Sequence, residues 1–288
     1  MFLSGDSWIF SDFGFARLKE VEEQRALKEF PFVKIYTTRN MVGVKEFPFA
    51  GNKSLLSVTT ERGFNLKVKG DCFFCDSDPR GENPQWNKPE IGAPVCLFGG
   101  VREPTLPRIK IDKTPYPDRE IGGIAGLIWN LSEGKEVNIN PKIDKYAKFL
   151  KGFFFKDNKL CYLLARKEAF FTFLNYVYMM RNDNETLYSF TGDFYQDFRY
   201  ILLYHGIDSS FEDPDLIVFD ALKFKNIESS DFSLRSVLIE DKIKKIDEVE
   251  EPSHLFSSEV DFAVVNGFVL GTSRVVPKKE RVLIKEGV

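Results

Sequence analysis

Residues 213–242 read DPDLIVFDALKFKNIESSDFSLRSVLIEDK, and the way this stretch folds decides the architecture. Leu216–Phe219 is a short apolar run, and Phe232–Ile239 reads as a longer strand. Just before them, Phe194, Phe198, Ile201 and Leu202 recur at helical spacing over residues 193–205, with Gly206 as the stop. After them, Lys242–Glu250 is polar and helix-prone. Val260–Val265 and Phe268–Leu270 are expected as strands joined by Asn266–Gly267, the strongest hairpin signal in the chain. The order from residue 193 is therefore helix, two or three strands, helix, strand, strand.

Upstream, residues 141–151 predict a helix with Ile143, Ala147 and Leu150 on one face and Lys142, Lys145 and Lys148 on another. Asn140 followed by Pro141 makes a good start for it. Phe153–Lys156 and Lys159–Leu164 flank Asp157–Asn158 as a hairpin, and an aromatic helix is expected over about 165–181. The first third is strand-rich, with β-branched or aromatic runs at 31–38, 54–60, 64–69 and 71–75, preceded by a helix around Phe15–Ala26. Eight of the fourteen prolines fall between Pro79 and Pro117, so that stretch is expected to be irregular. The fold class is α/β (mixed α+β), with a strand-rich region over 1–140 and a second domain over 141–288.

The 288 residues carry 40 Lys and Arg against 43 Asp and Glu, so no bulk positive field advertises nucleic acid. No apolar run approaches the roughly 20 residues needed to cross a bilayer, so no membrane partner is expected. Four cysteines are too few for a secreted disulfide scaffold, which points to a reducing, cytoplasmic setting. The scarcity of Gln, with Gln24, Gln85 and Gln196 alone, resembles a thermophile's balance. The 29 Phe and 10 Tyr supply core and, where exposed, an aromatic surface for protein assembly partners.

The polar residues at the strand ends carry the functional reading. Pro214-Asp215 opens the strand LIVF, and Glu240-Asp241-Lys242 closes the strand SLRSVLI. Within the element order above, these motifs resemble the PD-(D/E)xK nuclease superfamily over residues 193–270. The resemblance implies a C-terminal restriction-endonuclease-like α-β-β-β-α-β core and a divalent-metal-dependent nuclease acting on DNA or RNA. Asp215 and Glu240 would be ligands for Mg²⁺, or alternatively Mn²⁺, and Lys242 would be the catalytic cation. The chemistry fits those residue types, since paired carboxylates hold a hard cation through oxygen. The ion activates water, and a lysine two residues on faces the same way along a strand. Asp193 or Asp197 could add a further acid. The middle position is usually apolar in the family, and here it is Asp241.

A second match, Pro117-Asp118 with Glu133-Gly134-Lys135, is set aside because Ser132–Gly134 reads as a turn. For this function Lys142, Lys145, Lys148, Lys278, Lys279 and Arg281 are the expected phosphate contacts. The runner-up resemblance is to the RAMP superfamily of CRISPR effector subunits, through Leu106–Lys113 (LPRIKIDK) and the ending Pro277–Gly287. It implies a non-catalytic RNA-associated subunit in antiviral defence, built from ferredoxin-like βαββαβ units.

Other motifs carry less. Cys72-Phe73-Phe74-Cys75 lacks the second ligand pair that structural zinc requires. Gly122, Gly123 and Gly126 lack phosphate-loop spacing, so Ile124–Ile128 is expected as a buried strand or helix segment. His205 and His254 do not fall into the pattern of the tRNA-splicing endonuclease fold.

Overall fold

The computed structural model describes residues 1–11, 14–27, 33–37, 41–81, 84–100, 110–111, 114–132, 147–148, 160–179, 187–190, 195–213, 216–220, 237–256 and 262–271. The chain is mixed α+β and divides into two compact units, Met1–Val101 with Ser236–Val288, and Arg102–Arg235. A division near residue 140 is therefore not the one the chain makes, because the strands after residue 236 pair with the N-terminal ones.

The first unit runs β1 (Phe2–Ser4), β2 (Trp8–Ser11), β3 (Gly14–Arg17), α1 (Leu18–Leu27), β4 (Val33–Tyr36), β5 (Met41–Val44), β6 (Phe49–Thr60), β7 (Asn65–Val68), β8 (Phe73–Cys75), β9 (Trp86–Asn87) and β10 (Pro94–Gly99). The second holds β11 (Lys110–Ile111), β12 (Thr114–Pro115), α2 (Asp118–Ser132), α3 (Leu160–Leu164), α4 (Lys167–Met179), β13 (Leu187–Phe190), α5 (Tyr195–Tyr204), β14 (Ser210–Asp213) and β15 (Leu216–Asp220). The chain then returns to the first unit with β16 (Val237–Leu255), β17 (Phe262–Val265) and β18 (Phe268–Gly271).

One large antiparallel sheet organises the first unit, in the order β1-β7-β6-β16-β10-β18-β17-β2-β4-β5. A further pairing of β1 with β16 closes β1, β7, β6 and β16 into a ring. Those strands contribute Leu3, Val58, Leu66 and Val68, all fully buried. The Asn266–Gly267 turn forms as expected, with φ of 50° and 82°, the left-handed geometry that favours this pair. Asn266 also ties the hairpin into the sheet. Its Oδ1 accepts the Trp8 amide at 2.6 Å, and its Nδ2 donates to the Asn65 carbonyl at 2.7 Å.

Three expectations are corrected. Lys242–Glu250 is not a helix but the middle of β16, paired along its length with β6. Ile243, Ile246 and Val249 recur every third residue, which imitates a helix. A register shift between Ile243 and Lys245 lets that spacing serve a strand instead. Leu160–Leu164 is the short helix α3, not the second arm of a hairpin. The strand over 216–219 exists, but it pairs with β13 and β14 in a separate three-stranded sheet, while β16 lies between β6 and β10. The α-β-β-β-α-β order therefore is not that of the described elements. The expected helix 141–151, apart from Ala147 and Lys148, and the hairpin arm 153–156 lie outside the described residues.

In the second unit α2 and α4 pack through glycines. A Cβ on Gly122 would lie 2.1 Å from the Ala169 carbonyl oxygen, and one on Gly126 would lie 2.7 Å from the Tyr176 Cβ. The glycine cluster thus serves close helix packing. Asp118, from the discarded second motif, opens α2 and pairs with the buried Arg166 guanidinium at 3.0 Å.

Candidate functional site

Glu240, Asp241 and Lys242 lie on β16 where it pairs with β10, opposite Cys96, Val95 and Pro94 in turn. The pleat alternates them: Glu240 and Lys242 are exposed and share one face, while Asp241 is buried. The Asp241 carboxylate accepts the Lys242 amide at 2.8 Å and the Arg62 amide at 3.4 Å from both oxygens. Asp241 thus holds the turn between β6 and β7, a structural task. Glu240 and Lys242 face the same way, as two positions two apart on a strand must.

Asp215 lies outside the described residues. Its neighbouring strand β15 is not a sheet neighbour of β16, so the pairing expected to bring the two carboxylates together is not made. Among the described residues no group of three His, Cys, Asp or Glu side chains could hold a metal ion. Glu240 faces Cys96 across the ladder, a thiol that burial and then the neighbouring charges of Cys75 and Glu240 push up to about 12. Of the two expected ligands for Mg²⁺ or Mn²⁺, Glu240 alone is among the described residues, on the exposed face of β16. Asp197 is buried on α5. Among the expected phosphate contacts, Lys148 is exposed, while Lys142, Lys145, Lys278, Lys279, Arg281 and also Asp193 lie outside the described residues.

Both histidines act as scaffolding. His205 stacks on Phe170 with centroids 4.1 Å apart, and its Nε2 donates to the Leu164 carbonyl at 2.6 Å. Since that carbonyl can only accept, Nδ1 carries the lone pair, and it is buried without a hydrogen-bond partner among the described residues. Burial, the leading cause, lowers the His205 pKa to about 4. His254 binds the Phe47 carbonyl through Nδ1 at 2.8 Å.

Sequence reasoning missed one surface feature. Where β1 closes the ring, the half-buried Phe2 ring has the Lys53 and Lys69 ammonium groups over it, 5.8 and 5.3 Å from its centroid. Leu255, 38% exposed, lies directly across the ladder from Phe2. Lys69 also faces Asp71 at 3.7 Å, a solvent-exposed pair of small energetic weight. No linear signal links Phe2, Lys53 and Lys69, because the closure of the ring is what joins them.

No protein-family model and no curated protein matches the chain. Among solved structures, a mutant Ssp DnaB mini-intein variant aligns with 95% of this chain and 99% of its own, at 11% identity and a TM-score of 0.37. That likeness carries no argument about fold or activity. Among the described residues no helix is long and apolar enough to cross a membrane.

Proposed function

We propose that this chain is a non-catalytic subunit that binds single-stranded nucleic acid within a larger assembly. The observation that supports it is the Phe2 ring under Lys53 and Lys69 on the closed ring of strands. Single strands are held by aromatic rings that stack on bases and by cations that follow the phosphates. A partly exposed ring bracketed by two ammonium groups supplies both chemistries in one place. The RAMP-like stretch Leu106–Lys113 is the ground in sequence for placing that assembly among CRISPR-type effectors.

The test is fluorescence anisotropy with labelled single-stranded RNA and DNA across a salt series. Charge reversal of Lys53 and Lys69 together should weaken binding at least about tenfold and reduce the salt slope by about 1.4, the value for two phosphate contacts on a single strand. No binding by the unaltered chain at low salt, or equal binding by the double variant, would sink the reading.

A second reading, a divalent-metal-dependent nuclease, is favoured by the shared exposed face of Glu240 and Lys242. It is tested by incubating DNA and RNA with the protein and Mg²⁺, Mn²⁺ or EDTA. Cleavage that needs metal and is lost in both Asp215→Ala and Glu240→Ala supports it. Absence of cleavage, or full activity in either variant, removes it.

A further inference from the structure

The cysteines of the first unit lie closer in the fold than their numbers suggest. Strand β17 takes one edge of β18, and β8 and β10 share the other. On that edge Leu97 is level with Phe268, and Phe74 is level with Leu270. The next residues inward, Cys96 and Cys75, therefore converge beside Val269. Their faces agree as well. The Phe74 and Phe268 rings meet edge to face at 5.7 Å, so those two residues share one face of the sheet. Alternation then sends both Cys75 and Cys96 to the opposite face. Both are buried free thiols.

We propose that Cys75 and Cys96 form a redox pair that closes to a disulfide, tying β8 to β10, when the protein meets a two-electron oxidant of the peroxide or azo class. Two S–H bonds break and one S–S bond forms. The two electrons and two protons pass to the oxidant, yielding two waters from hydrogen peroxide or a hydrazine from an azo reagent. A disulfide needs a Cα separation of roughly 4.4–6.8 Å, and two thiols beside the same residue on one face of a sheet are candidates for it.

The surroundings set the tempo. Burial comes first in raising both thiols, with the Cys75 charge next for Cys96; the Cys75 Sγ also donates to the Ser77 carbonyl at 3.1 Å, which holds its proton in place. Thiolate is scarce near neutral pH, so the pair reacts slowly and under sustained oxidant only. Once closed, it fixes the β8–β9 hairpin against the strand that pairs with Glu240. This inference stands apart from the nucleic-acid reading and does not depend on it.

The full chain is treated under native conditions with the azo reagent diamide, alkylated, and digested without reduction. Mass spectrometry should find the Cys75 and Cys96 peptides joined, two hydrogens lighter than their sum. The thermal midpoint should rise by several degrees and return on reduction with dithiothreitol. Cys161→Ser should keep the link, and Cys75→Ser or Cys96→Ser should abolish it. Absence of the link under oxidant that converts a reference dithiol, or a link from Cys72 to Cys75 in its place, would overturn the proposal.

Discussion

A neutral imidazole sealed between the Phe170 ring and the Leu164 carbonyl makes His205 a proton-sensitive part of the second unit. Its folded pKa, near 4, lies below the ordinary 6.5 because burial disfavours the charged ring. The unfolded chain therefore binds a proton that the folded chain refuses. The stability that His205 contributes is whole above about pH 6.5 and is lost as pH falls toward and through about 4. The thermal midpoint should drop between pH 7 and pH 5, and drop less in His205→Gln, which keeps a donor for Leu164 but does not titrate. Thermal scans of both proteins at each pH check this. On β16, Asp241→Ala should cost about 1–3 kcal/mol in denaturant unfolding, because the Arg62 and Lys242 amides lose their acceptor. Glu240→Gln, on the exposed face, should stay within about 0.5 kcal/mol. The Glu240-Asp241-Lys242 triplet shows where reading by residue ran out. Alternation along a strand was legible, but which carboxylate turns inward depends on β10, β6 and the Arg62 turn.

Helices α2 and α4 meet so closely at Gly122 that a methyl group there would fall inside the Ala169 backbone. Gly122→Ala should therefore destabilise by about 3 kcal/mol or more, since backbone cannot step aside as a flexible side chain can. Gly51→Ala makes a useful contrast. Its φ is +75°, yet nothing lies within 4 Å of the added carbon, so only backbone strain of about 1 kcal/mol applies. Denaturant midpoints of the two variants should rank in that order. Elements with their own local signals were legible: α1, α4, α5 and the Asn266–Gly267 hairpin lie within a few residues of where periodicity and turn chemistry put them. Strand β16 was legible only at its start, Val237–Ile239, because beyond it the spacing suits a helix until β6 supplies a partner between Ile243 and His254. α2 was half-legible, since Ile124–Ile128 read as buried while Pro117-Asp118 was met only as part of a motif set aside, not as a helix start.

The molecule as a whole is organised by a pairing that no linear reading reports. Strands β16, β17 and β18 complete a sheet begun by residues 2–99, with the second unit inserted between. The strand-rich character of the first third was legible. The division near residue 140 was not, because composition shifts mark neighbours in sequence and this sheet joins strands from both ends. A fragment of residues 1–101 should consequently remain unfolded, because β6, β10 and β1 each lose β16. Amide-proton dispersion by NMR checks it, and a well-dispersed spectrum would contradict the account. A fragment of residues 1–140 should fail in the same way.

The β1–β16 closure also constrains how the protein is made. Phe2 pairs with Leu255 and Leu3 with His254, so β1, which also meets β7 at Leu3 and Val68, gains its second partner only once residues 237–255 have been made. Until then Phe2, Leu3 and the apolar residues of β6 and β7 are held open to water, a long sequence separation of the kind that slows folding and invites association. Ribosome-bound chains that stop short of residue 237 should therefore leave this apolar surface open, and chains that extend past residue 255 should bury it.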